Sequence, residues 1–169
     1  MARPTPTSSR YDLRENDFIV SKTDLKGKIT YCNQIFMQLA KYSEEELIGA
    51  PHNIIRHPDM PRVVFKLLWD RIQNKEEIFA FVKNLSKDGG YYWVYANVTP
   101  SLDTSRNLIG YYSVRRRPNA EGIKVCEDLY AKLLQEESRG GMDASNRYLN
   151  NLLKEKGVSY DELVTSLQG

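Results

Sequence analysis

The chain has 169 residues, 41% hydrophobic and 11% aromatic, which suffices for one cored domain with a helical appendage and is too short for two full enzyme domains. Lys and Arg total 24 against 22 Asp and Glu, so the net charge of +2 lacks the basic excess of a dedicated nucleic-acid binder. Two cysteines without a CxxC pairing argue against a cysteine zinc site or a disulfide framework and fit a reducing cytoplasm, and no apolar run approaches the 18 or so residues of a membrane span.

Residues 1–16 begin MARPTPTSSR, small, polar and proline-bearing, and predict a flexible leader. From Asp17 the pattern becomes strand-like: FIVSKT, a Gly-containing turn at Asp24 to Gly27, then KITYC. The period then changes to helical at Ile35, Phe36, Leu39 and Ala40, and Ser43 with Glu46 reads as a capping box. The stretch Ala50 to Pro61 holds three prolines and both histidines, and predicts an irregular connection. It leads to a helix whose apolar face is Val64, Phe65, Leu68, Trp69 and Ile72, with Asp59 as cap and Pro61 in the first turn. FAFVKNLS, the turn at Lys87 to Gly90 and YYWVYANVTP predict a long hairpin, and LIGYYSVRRR a last strand stopped by Pro118. Five strands, with helices inserted after the second, make an α+β fold: an antiparallel sheet with helices on one face. A C-terminal helical extension follows over 119–169, broken at Gly140-Gly141. It carries 6 basic and 9 acidic residues against 18 and 13 before it, which supports a boundary near Pro118.

The run His52-Asn53-Ile54-Ile55-Arg56-His57-Pro58-Asp59-Met60-Pro61 is similar to a signature of bacterial aerotaxis and energy-taxis receptors. Together with the Tyr42 to Gly49 segment and the Lys87-Asp88-Gly89 turn before Tyr92-Trp93-Val94, it makes residues 17–118 resemble a PAS domain of that flavin-binding type. The resemblance implies FAD held non-covalently. Flavin photoreceptors of the family carry a reactive cysteine shortly after the glycine matching Gly49, and here that stretch is Ala50-Pro51-His52-Asn53, so adduct photochemistry is not expected. Haem-binding relatives place a histidine on the longer helix, which has none here; His57 lies just before it.

A flat, mostly apolar ring with a polar edge needs an aromatic slot and a few aimed amides or guanidinium groups. By the resemblance Asn84 holds the pyrimidine edge; the plain alternative is an exposed strand residue. Arg115 occupies the place of a flavin-bonding glutamine on the last strand, or else belongs to a solvated basic strand end with Arg116 and Arg117. Phe65 and Trp69, four apart on one helix face, are core residues or a wall beside the ring. Asn33 opens the first short helix as a cap, and the resemblance also brings it near the cofactor. Arg56, His57 and Asp59 suit a pyrophosphate at a helix N-terminus, the alternative being an Arg56–Asp59 ion pair that orders the loop.

No catalytic motif is present, so the chain is expected to be no enzyme. The resemblance implies a cytoplasmic redox or oxygen sensor that acts on a separate membrane chemotaxis transducer, without entering the membrane or binding nucleic acid. Dimerisation through the leader or the C-terminal helices is compatible with this. The competing readings are a cofactor-free interaction module, whose cavity Trp69, Phe79 or Phe81 would fill, and a haem-based gas sensor using His57.

Overall fold

A computed structural model describes residues 2–169; Met1, the first residue of the expected leader, lies outside them. The strands β1 (Phe18–Thr23), β2 (Ile29–Cys32), β3 (Ile78–Leu85), β4 (Tyr91–Leu102) and β5 (Leu108–Arg116) form one antiparallel sheet in the order β2-β1-β5-β4-β3. β4 runs two residues past the expected end at Pro100. β3 has already stopped pairing at Val98, so β4 is an edge there, where proline is tolerated.

Strand alternation gives the sheet two faces. One presents Ser21, Val82, Asn84, Ala96, Ser113 and Arg115, with Ser21 opposite Ser113 and Arg115 opposite Ala96. Helices α1 (Gln34–Ala40), α2 (Glu44–Leu47) and α3 (Arg62–Gln73), with the short 3-10 turn His52–Ile55, cover this face. The other face is covered on its β3–β4 side by α4 (Ala120–Lys156) and α5 (Tyr160–Gln168), where Tyr130 stacks on Trp93 at 6.1 Å and Phe81 meets Tyr95 at 5.2 Å. The C-terminal helices direct Ile123, Leu133, Leu149 and Val164 to their own domain's core. The break expected in α4 falls where Gly140-Gly141 leaves helical geometry, with Gly141 at φ 71°, ψ −164°, a conformation only glycine enters readily.

The leader is not free. Thr7 and Tyr11 donate backbone hydrogen bonds to Gly89 and Tyr91, Tyr91 donates back to Ser9, and Leu13 is buried. Composition signals a loop, but the start of β4 offers unpaired peptide groups that any residue can satisfy. Arg3 donates to the carbonyls of Asn53 and Arg56 at 3.0 and 2.6 Å and so ties the leader to the His52–Ile55 turn.

The outer edge of β3 is closed by side chains. Tyr160 and Tyr130 donate to the carbonyls of Phe79 and Phe81 at 2.9 and 2.6 Å, and the Lys83 N–H points to the Met60 sulfur at 3.3 Å. A methyl at Gly122 would sit 2.6 Å from the Phe81 ring and 2.8 Å from the Leu167 carbonyl. Gly122→Ala is therefore expected to cost about 1–3 kcal/mol by overpacking, read as a lowered denaturation midpoint with faster amide exchange in α5.

Candidate functional site: a cationic cavity under the sheet

A cavity of about 240 Å³ lies between the covered inner face of the sheet, α3 and the His52–Ile55 turn. Phe65, Trp69 and Tyr111 supply its aromatic wall, Trp69 meeting Tyr111 edge-on at 5.4 Å. Phe79 and Phe81 lie on the other face, against Tyr95, and do not fill it. The charged residues of the lining are Lys26, Arg56 and Arg115, all cations, and no carboxylate faces the space.

Arg115, on β5, is 3% exposed. Its Nη2 donates to Ser21 Oγ at 2.8 Å and its Nη1 lies 3.0 Å from His52 Nε2, while Nε is buried without a partner. Phe36 lies beneath the guanidinium at 4.7 Å. Burial lowers its pKa to about 10, so it stays charged at neutral pH. Asn84, 3% exposed, lines the cavity from β3, beside the buried and unpartnered Tyr92 hydroxyl.

Burial, and then the Arg115 charge, lower the His52 pKa to about 3. An unfolded chain takes up that proton near the ordinary value of 6.5, so the folded state loses stability as pH falls from about 6.5 towards 3. His57 is lowered as well, by burial and then Lys83, and acts in the same direction. We expect acid titration of the unfolding free energy to be shallower in His52→Gln than in wild type between pH 6.5 and 5, and identical slopes would refute the assignment.

Of the residues singled out in the sequence, the structure brings Arg56, Phe65, Trp69, Asn84 and Arg115 to the cavity and leaves Asn33, His57 and Asp59 off it. Asn33 caps α1: its Oδ1 accepts from Phe36 N and Val20 N, and its Nδ2 donates to Phe18 O, which fastens β1 to α1. His57 Nδ1 accepts from the Asp59 N–H at 3.0 Å, and its ring meets Tyr91 edge-on. Asp59 pairs with Lys83 at 2.7 Å, not with Arg56, whose guanidinium stacks over Phe65 at 4.4 Å. Asp59 does not cap α3 either; Pro61 stands at that position with no side-chain cap.

The start of α3 is filled from α4. Glu137, with a side chain 7% exposed, accepts from Val63 N at 3.0 Å and lies 3.7 Å from Arg62 Nε. A carboxylate thus sits where the sequence suggested a ligand pyrophosphate. Sequence reasoning passed over Glu137, Ser21 and His52. The only signal for Ser21 was its place two residues after Ile19, on the same face of a strand, and His52 stood in view as a histidine without a role.

Neither cysteine lines the cavity; both are buried, Cys126 with its pKa raised by burial to about 12. Among the described residues no His, Cys, Asp and Glu cluster could hold a metal ion, and no helix is long and apolar enough to cross a membrane.

A five-stranded antiparallel sheet with helices inserted after its second strand is the architecture of the PAS fold. The family described as the PAS fold matches residues 29–115, and the chain belongs to it. It is 38% identical over 132 residues to the Aerotaxis receptor of Escherichia coli (strain K12), covering 78% of this chain and 26% of that protein. It is 25% identical over 126 residues to Biofilm dispersion protein BdlA of Pseudomonas aeruginosa, covering 73% and 28%. The chain thus spans about a quarter of the length of these relatives. Among solved structures, the light state of the blue-light photoreceptor Aureochrome1 LOV superposes with a TM-score of 0.55 at 24% identity, over 74% of this chain and 92% of that one, a likeness of fold.

Proposed function

We propose that the cavity holds FAD non-covalently and that the protein is a redox or oxygen sensor in the cytoplasm, reporting to a separate membrane chemotaxis transducer. The observation that carries this is Arg115: a buried cation on a cavity wall without any carboxylate, with one N–H left unused. Such a charge is costly unless a ligand compensates it. The likeness to the Aerotaxis receptor supports the sensory role. A bound flavin would supply reversible electron uptake at a ring whose polar edge changes its hydrogen bonding on reduction.

The residues present fit that group. Trp69, Tyr111 and Phe65 flank a flat ring, and Asn84 offers an amide donor and acceptor to its polar edge. The volume suits a fused ring and leaves a nucleotide outside, where Arg56 and Lys26 stand ready for phosphates. With Glu137 on the α3 N-terminus, those cations take over the phosphate role expected of Arg56, His57 and Asp59 together. A change of polar contacts at Arg115 enters β5, which ends at Arg116, four residues before α4 begins.

Purified protein is expected to be yellow, with flavin absorption bands and FAD released on denaturation, identified by mass. Colourless protein that takes up no added FAD or FMN would overturn the proposal, and release of FMN alone would correct the nucleotide.

A further inference from the structure

Arg115, Ser21 and His52 close a triangle on the cavity wall, with Arg115 Nη2 to Ser21 Oγ at 2.8 Å, Arg115 Nη1 to His52 Nε2 at 3.0 Å, and Ser21 Oγ to His52 Nε2 at 3.0 Å. A guanidinium only donates, so His52 Nε2 faces it as an acceptor and the ring proton sits on Nδ1. Both ends of the guanidinium fork are therefore held by uncharged groups. Buried arginines ordinarily find a carboxylate, which neutralises them as it holds them. Here the hold and the neutralisation are separated.

We propose that His52 is a positioning residue: by accepting from Nη1 while staying uncharged, it fixes the Arg115 fork against the sheet and leaves its positive charge on the cavity wall without a neutralising partner. The consequence is a cavity that favours the electron-rich, reduced form of its ligand over the oxidised one. The triangle stands on the protein alone; the ligand's identity rests on the flavin reading above.

Two readouts keep these apart. In ligand-free protein, NMR of the Arg115 guanidinium should show resolved Nη protons protected from exchange in wild type and in His52→Gln, whose amide oxygen still accepts. Protection should be lost in His52→Ala and in Ser21→Ala. Unprotected Nη protons in wild type, or protection indifferent to His52→Ala, would overturn the positioning role. In flavin-loaded protein, His52→Gln should keep the wild-type midpoint potential. His52→Glu, which sets a carboxylate against Arg115, should cut the preference for the reduced form tenfold or more, a fall of about 30 mV for a two-electron couple. Equal potentials in the Gln and Glu variants would overturn the charge argument. Should His52→Ala fail to fold, the Gln and Glu pair still decides. A wild type that takes up no flavin would overturn the flavin reading alone, and the NMR result would then judge His52 by itself.

Discussion

Replacing Arg115 with methionine is expected to leave the ligand-free protein as stable as wild type, or more so, and to weaken flavin binding about ten- to a hundredfold. The two halves of this result have different causes. Without a ligand, Arg115 is a charge 3% exposed whose partners are neutral, and methionine replaces its apolar stem, up to the position of Nε, without that desolvation cost. Ser21 and His52 are not orphaned by the change, because they stand 3.0 Å from each other. With a ligand, the variant forfeits a hydrogen bond from a charged donor, about 1.5–3 kcal/mol, which is the stated range in affinity. Thermal unfolding of ligand-free protein and fluorescence titration with FAD would measure both. A variant that melts lower and binds as tightly would show that Arg115 is a strut of the fold and nothing more.

The largest expected effect on stability lies on the other face of the sheet, at Phe81. This ring is fully buried, meets Tyr95, abuts Gly122 and belongs to a residue whose carbonyl accepts from Tyr130. Phe81→Ala should cost about 3–5 kcal/mol, a drop in melting temperature of roughly 10 °C in a domain of this size. The loss should appear first as amide exchange in α4 and α5, while Asn84 and Arg115, on the opposite face, keep their surroundings. A drop of less than about 1 kcal/mol would mean that the C-terminal helices lie loosely on the sheet and do not pack tightly around the Phe81 ring.

The sequence made the strands legible because their residues are β-branched or aromatic and their turns carry Gly27 and Gly89, both at positive φ. The resemblance points to Asn84 and Arg115; alternation alone leaves open an exposed strand residue and a solvated strand end, and the register of the sheet is what turns both inward. The contacts it could not reveal join residues far apart in the chain. Glu137 reaches Val63 across 74 residues, and Ser21 reaches Arg115 across 94. Near Pro58 the adjacency of Arg56 and Asp59 suggested a local ion pair, yet β3 delivers Lys83 to Asp59 and α3 delivers Phe65 to Arg56. The leader shows the same limit from the other side: its composition speaks of a loop, and its peptide groups pair regardless of composition.

The tyrosine-capped margin of β3 has a further consequence. With its carbonyls at Phe79 and Phe81 and the Lys83 amide already satisfied, a strand from another molecule finds few vacant main-chain groups on which to zip. Recognition at that margin must be read through side chains, whose identities can change without unravelling the ladder beneath them.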